Sequence, residues 1–291
     1  MNKQDFTVVL RVENANPNGD PQADNRPRQY DNNHGYMTPV CIKHKIRVAM
    51  DKIFGKRILI KTKEDCIDDK EAASIQERIK IFCGECPTSF EPDFIEKVEN
   101  TFIDVRMFGA VFADKNSSHK RASISITPAV SASAITIDET QITKCISLQK
   151  SDKKGSDTMG MMYSVPYGLY VFHGSINPLI AKKTGLTSTD IEVFKKALVS
   201  MFTCDASEAR PEGSITIELL VWNEHSCQIG DYPPQKTQNI VKITPLNNNP
   251  ASIDDYEINI EPLDELNTTI MWNPFYHETK DKIICDNQHL Q

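Results

Sequence analysis

Three carboxylates with no obvious structural task lie near the start of the chain. Asp20, Asp24 and Asp31 fall in the segment 14–34, which contains almost no apolar residue and is rich in Asn, Asp and Pro. Carboxylate oxygens are the ligands that Mg²⁺ prefers, so the segment is a candidate metal-dependent nuclease site. However, no Asp-x-Asp pair accompanies them, and Asp in such a segment is typical of turns. The sequence therefore predicts neither a catalytic residue nor a metal there.

A second chemistry, phosphate binding, is indicated by the cations that follow this segment. They are Lys43, His44, Lys45, Arg47, Lys52, Lys56 and Arg57, and we expect them on the exposed faces of a helix. Such a group can neutralise nucleic-acid phosphates without reading the base sequence. The alternative is an ordinary solvated helix face, and charge alone does not separate the two.

The cysteines and histidines give no pattern that specifies a metal site or a cofactor. Eight cysteines are scattered along the chain, and Cys83 and Cys86 form the single Cys-x-x-Cys. A zinc ribbon needs a second pair at similar spacing, and no His-x-x-x-His occurs. Gly19 stands alone, so no phosphate-binding glycine loop is predicted. Ser, His and Asp are too dispersed to nominate a triad, and we expect no cofactor.

The elements that would position the carboxylates and cations can be read from periodicity. Alternating apolar residues over 6–12 predict a half-buried strand, and the polar segment 14–34 predicts a loop without a core of its own. Thr38 and Pro39 are typical of a helix N-cap and first turn, and Gly55 is typical of the end of that helix. The polar loop and the basic helix should therefore lie side by side.

Four stretches, in this order, resemble the backbone subunit of CRISPR Cascade complexes, type I-C most closely and type I-B next. They are VENANPNGDP at 12–21, VCIKHKIR at 40–47, DVRMFGAV at 104–111, and VPYGLY at 165–170 with His173 and Gly174. The resemblance implies an α+β fold with a ferredoxin-like (RRM-like) βαββαβ core over 1–225. It also implies a projecting thumb hairpin at 138–163. The residue patterns add a helical insertion at about 64–100 and an acidic C-terminal extension at 226–291.

The residue patterns independently give the same order of elements. The predicted helices are 64–83, 91–100 and one opened by a capping box at Thr189; the predicted strands are 101–113, 121–137 with a break at Pro128, 165–176 and 215–221. Strands 101–113 and 121–137 are expected to form a hairpin. The C-terminal extension is expected to pack on the core or on a neighbouring subunit.

The residues that we predict to contact RNA come from the loop, the basic helix and the thumb. They are Asn16, Asn18, Gly19, Arg26, Arg28, Lys43, His44, Lys45, Arg47, Arg106, Arg121, Lys154, Met161 and Met162. Arg106 is either a phosphate ligand or half of a salt bridge. Met161 and Met162 stand where relatives carry Arg-Lys, and apolar groups can unstack bases. Replacing both Lys45 and Arg47 by Ala is expected to weaken binding equally for all RNA sequences.

The net charge of −7 argues against a nucleic-acid binder only if it is taken as a whole. Residues 1–63 hold twelve Lys or Arg against six Asp or Glu, whereas 64–100 hold four against eleven and 251–291 hold two against nine. This distribution is compatible with one basic face on an acidic protein. No apolar run is long enough to span a membrane and no signal peptide is evident, so a cytoplasmic protein is expected.

The resemblance implies a non-catalytic subunit, not an enzyme, that coats guide RNA (crRNA) in head-to-tail copies and presents it to target DNA. The implied partners are an end-capping subunit that processes the guide, a large subunit, and a helicase-nuclease that joins later. Two alternatives stay open. One is a metal-dependent ribonuclease related to type III backbone subunits, and the other is a filament protein without RNA.

Overall fold

The computed structural model describes residues 1–62, 74–112, 119–143 and 159–274. Its strands are β1 (Gln4–Ala15), β2 (Gly19–Asp20), β3 (Arg26–Pro27), β4 (His34–Met37), β5 (Ala110–Val111), β6 (His119–Lys120), β7 (Ile124–Ile126), β8 (Ala129–Ala134), β9 (Asp138–Thr143), β10 (Met159–Ile176), β11 (Ile215–Glu224), β12 (Val241–Pro245), β13 (Tyr256–Ile260) and β14 (Asn267–Trp272). Its helices are α1 (Pro39–Lys52), α2 (Ile75–Cys83), α3 (Pro92–Thr101), α4 (Ile103–Phe108), α5 (Pro178–Thr184), α6 (Ser188–Val199) and α7 (Pro234–Gln238).

A large antiparallel sheet organises the fold, with strand order β14-β11-β1-β10-β8-β4, and with β7 and β9 also paired to β10. The first strand is central, since Leu10 pairs with Tyr170 on one side and Val8 pairs with Leu220 on the other. The prediction that β1 is half-buried holds for its second half, where Arg11 and Glu13 are partly exposed and Leu10 and Val12 are buried. It is wrong for the first half, where Thr7 and Val9 are as buried as Leu10 because both faces of the sheet are covered.

One face of the sheet carries α1, α4 and α6 and the main hydrophobic core. The predicted stripe of α1 is confirmed, because Ile42, Ile46 and Met50 are all buried in this core. Thr38 caps the helix as expected, accepting a hydrogen bond from the Cys41 N–H. On the sheet, the Phe6 ring stacks on Trp222 with 5.1 Å between ring centroids.

The opposite face is covered by the β12–β13 hairpin, whose Tyr256 packs in a second cluster with Val9 and Leu169. The chain before this hairpin is fixed to β1 by a buried contact. His225 Nε2 lies 2.9 Å from an Asp5 carboxylate oxygen, and the Thr237 hydroxyl donates to the same oxygen. The described part of the predicted extension 226–291, residues 226–274, therefore packs on the sheet. It includes β14, which pairs with β11.

Helices α2 and α3 form a separate small core with the start of α4. Helix α3 confirms the helix predicted at 91–100, and the described part of the one predicted at 64–83 begins at Ile75. The prediction of a strand over 101–113 is wrong except at β5, which pairs with β6, so the expected hairpin with 121–137 does not form. Phe102 and Val105 face the small core while Ile103 and Met107 face the main one. A helix buried on both sides has no polar stripe, so its composition is easily mistaken for that of a strand.

Later elements agree more closely with the predictions. Strands β7 and β8 flank Pro128, and β10 and β11 contain the strands predicted at 165–176 and 215–221. The capping box of α6 is formed by Thr187 and Asp190, two residues earlier than predicted. Within the described ranges, no helix combines the length and apolarity needed to cross a bilayer.

Candidate nucleic-acid interface

The polar loop after β1 is ordered by a buried side chain and by strand pairing within the loop, which corrects the expectation of a loop without a core of its own. Asn16 is buried, and its Nδ2 donates to the backbone oxygen of Asn25 over 2.6 Å. Strands β2 and β3 pair across the loop, with Gly19 opposite Pro27. A Cβ at Gly19 would lie 2.9 Å from the Asn25 oxygen, so this close approach depends on glycine.

The loop is attached to the N-terminus of α1, as predicted. The Asn18 side-chain oxygen accepts a hydrogen bond of 2.9 Å from the Thr38 N–H, the residue that caps α1. The backbone oxygen of Asn18 accepts from the Arg28 N–H over 3.1 Å. Asn18 thus joins the two strands of the loop to the helix.

Lys45 faces inward, which corrects the expectation that it is exposed. Only 3% of its surface is accessible, and its Nζ lies 2.5 Å from Oδ2 of Asp205, in the turn after α6. Arg210 Nε donates to the same oxygen over 2.9 Å, and its Nη1 donates to the backbone oxygen of Asn16 over 3.3 Å. Arg210 is not among the residues predicted from the sequence, because a turn more than 190 residues after Asn16 carries no local signal of this contact.

These charges meet around Cys41, in the first turns of α1. Burial raises the pKa of the Cys41 thiol. The charge of Asp205 also raises this pKa, whereas the charges of Lys45, Arg210 and Arg28 lower it. We call Arg28, Lys45, Asp205 and Arg210 the loop cluster. Arg28 extends it to the loop itself, because its Nη2 lies 3.3 Å from a carboxylate oxygen of Asp20. The structure therefore brings the predicted Asn16, Asn18, Gly19, Arg28 and Lys45 together.

The remaining predicted cations of α1 lie against α4 instead. Arg47 is buried, with its Nε 3.0 Å from Oδ2 of Asp104, so its predicted exposure is also wrong. Lys43 lies with its Nζ 5.4 Å from the centroid of the Phe108 ring. Burial and the nearby Arg47 lower the pKa of Lys43. His44 is half-buried and lines a small cavity beside Arg47.

Two predicted arginines lie outside both groups. Arg106 forms a two-pronged ion pair with Asp190 over 3.1 and 2.9 Å and donates to the Glu99 backbone oxygen, so the salt-bridge alternative is the one observed. Arg121 is exposed, directly after β6.

The base of the hairpin formed by β9 and β10 is fixed to the polar loop by Arg26. The Arg26 guanidinium lies 4.8 Å from the centroid of the Tyr163 ring and 2.5 Å from a Glu139 oxygen. Met161 and Met162 are neighbours on β10, so their side chains point to opposite faces of the hairpin. Met161 is exposed and Met162 is half-buried, and their role in unstacking bases stays a prediction. Lys154 lies outside the described residues.

Two of the three aspartates considered for a metal, Asp20 and Asp24, flank a short turn of the polar loop. Asp20 caps the short 3₁₀ turn at 21–23, accepting from the Gln22 N–H, and Asp24 has a left-handed φ of 51° just after it. Across the described ranges, no three His, Cys, Asp or Glu side chains come together as a metal would require.

The comparisons with known proteins agree with this architecture. The model of the family "CRISPR-associated protein Cas7" matches residues 2–261. A solved chain of a "CRISPR RNA-guided surveillance complex, pre-nicking" is similar with a TM-score of 0.51 and 13% identity, covering 79% of each chain. A chain of a "CRISPR RNA-guided surveillance complex" gives a TM-score of 0.47 and 12% identity, covering 79% of this chain and 71% of that one.

At such low identity the first of these structures supports the fold alone. No curated protein matches the sequence. The family match supports membership of the family, because it covers most of the chain. It extends from β1 beyond the end of β13 and includes the polar loop, α1 and both long strands beside β1. The chain therefore belongs to the family of CRISPR-associated protein Cas7.

Proposed function

We propose that this chain is the non-catalytic backbone subunit of a type I CRISPR surveillance complex, of subtype I-C or the neighbouring I-B. Several copies would bind one guide RNA head to tail and hold its bases free for pairing with target DNA. The observation that carries the proposal is the family match over residues 2–261. A head-to-tail contact that does not close a ring generates a helical filament, which suits a long guide.

The strand order supports a ferredoxin-like core at the centre of the subunit. The order β11-β1-β10-β8 is antiparallel throughout, with α1 between β1 and β8 in sequence and α6 between β10 and β11. This order supports the βαββαβ core that the resemblance implied, and we assign α2, α3, α4 and the β9–β10 hairpin to additions around it.

Sequence-independent binding requires contacts with phosphate and 2′-hydroxyl groups instead of base edges. The polar loop supports such contacts, because Asn16, Asn18 and Gly19 form a rigid backbone turn next to Arg28. The β9–β10 hairpin supplies an exposed Met161 close to this loop, since Arg26 joins the two. The end-capping subunit, the large subunit and the helicase-nuclease would complete the assembly.

The test is co-expression with a guide-length RNA, followed by size-exclusion chromatography with absorbance at two wavelengths. The proposal expects a large particle that contains intact RNA, with a guide or a scrambled sequence alike. A protein that elutes free of RNA would support the filament alternative. RNA shortened only when Mg²⁺ is present would indicate a nuclease and overturn the non-catalytic assignment.

A further inference from the structure

Arg210 lies in a tight turn that is fixed against the polar loop. Ser207 and Arg210 exchange two backbone hydrogen bonds of 2.9 and 3.0 Å, which closes the turn. The backbone oxygen of Ala209 then accepts a hydrogen bond of 2.8 Å from the Asn16 N–H. The turn therefore holds Arg210 at the side of the loop that we propose to contact RNA.

Two of the three guanidinium nitrogens of Arg210 donate hydrogen bonds that orient the group. Its Nε donates to Asp205 and its Nη1 donates to the Asn16 oxygen. Nη2 has no hydrogen-bond partner among the residues that the structure describes, and the side chain is 27% exposed, compared with 4% for Lys45. An arginine carries five N–H donors, so Arg210 retains donors for an oxyanion.

The charge balance around Arg210 also differs from that of the other cations considered. Arg47 and Arg106 each face one carboxylate of their own, Asp104 and Asp190 respectively. Asp205 instead serves both Lys45 and Arg210 through the same oxygen. One carboxylate thus balances two cations, and the acidic residues next to Arg210 in sequence, Glu208 and Glu212, form no ion pair with it among the described residues. The Arg210 guanidinium can therefore take a further anion, such as a phosphate.

We infer that Arg210 binds a phosphate of the RNA backbone beside the Asn16–Asp20 loop, in place of the buried Lys45 and Arg47. This inference rests on the proposed function. The guanidinium fork suits a phosphate because it can donate two parallel hydrogen bonds, so its geometry adds to its charge. The contact is sequence-independent, since a phosphate is the same in every nucleotide.

The experiment compares R210Q and R210K with the wild type by fluorescence anisotropy. Two guide-length RNAs of unrelated sequence are titrated at several salt concentrations, and thermal melting checks the fold of each variant. K242Q is the matched control, because it removes one positive charge from an exposed ion pair on the β12–β13 hairpin.

We expect R210Q to weaken binding of both RNAs equally and to lower the slope of log affinity against log salt by about 0.7. R210K should keep most of the slope, and K242Q should match the wild type. A folded R210Q with an unchanged slope would overturn the inference, including the case in which affinity falls because the loop is misplaced. A wild-type protein that binds no RNA at all would overturn the proposed function itself.

Discussion

Arg47 and Asp104 form a buried ion pair between α1 and α4, with Nε of Arg47 3.0 Å from Oδ2 of Asp104. Asp104 is completely buried, and its oxygens also accept the N–H groups of Leu59 at 2.8 Å and Ile60 at 3.1 Å. One carboxylate thus joins α1, the segment after it and α4. A cation expected on a phosphate-binding face is part of the interior.

Replacing Asp104 by Ala should lower the free energy of unfolding by about 3–5 kcal/mol, because it leaves Arg47 buried without a counter-charge. Urea denaturation measures this loss. Glu96→Ala, an exposed position in the middle of α3, is the control and should change stability by less than about 0.5 kcal/mol. Similar stability of the two variants would contradict the structural role of the pair.

The double replacement of Lys45 and Arg47 by Ala should act mainly on stability. Both side chains are buried in ion pairs, so their removal leaves Asp205 and Asp104 with fewer partners. We expect a lower melting temperature, whereas the folded fraction should keep the salt dependence of its RNA affinity. A drop of one to two units in the log-log salt slope, without loss of stability, would support the original prediction from the sequence.

Gly174→Ala should destabilise the protein by about 1–3 kcal/mol or more, because the added methyl group would overpack the interior. A Cβ at Gly174 would fall within 2.0 Å of the Phe6 ring, and Phe6 is held between Trp222 and Phe194. Gly160→Ala is the control, since among the described residues its Cβ would meet only the Ile142 side chain at 3.3 Å, which is partly exposed and can move. Chemical denaturation of both variants checks the difference.

His173 should make stability fall as the solution is acidified. Burial lowers the pKa of His173 from 6.5 to about 4, and its Nδ1 lies 2.9 Å from the Thr7 hydroxyl. The unfolded chain therefore takes up a proton below pH 6.5 that the folded protein takes up only near pH 4. Stability from this group is complete above pH 6.5 and is lost as the pH falls to 4, by up to about 3 kcal/mol.

Denaturation of wild type and His173→Gln between pH 7 and 4 measures this dependence. The variant should show a flatter dependence in that window, and the comparison cancels the contribution of the other histidines. Parallel curves for the two proteins would show that His173 is not held neutral in the folded state.

Met161 and Met162 should have unequal effects on bound RNA. Because they point to opposite faces of the hairpin, only one face can meet a given base step. We expect one of Met161→Ser and Met162→Ser to change the chemical reactivity of guide nucleotides in the assembled particle, and the other to leave it unchanged. Equal effects would indicate that the pair acts as one unit.

Local patterns predicted those elements in which one face is apolar and the ends carry turn or capping residues. Helix α1 is the clearest case, with Thr38 at its cap and Ile42, Ile46 and Met50 on its buried face. Such patterns fail where both sides of an element are buried. They read the first half of β1 as half-buried and α4 as a strand, because in both the expected polar face is covered by a second core.

The sequence by itself determined the membership of the family, the order of the main elements and the polar character of the loop beside α1. Residue types and short-range spacing are enough for these properties. Only the tertiary structure decided which cations are exposed and which are buried in ion pairs. Nothing in the local sequence distinguishes Lys45 and Arg47 from exposed cations. Their ion-pair partners, Asp205 and Asp104, lie 160 and 57 residues away along the chain. Burial and ion pairing depend on those long-range contacts, and the same packing places Arg210 beside Asn16.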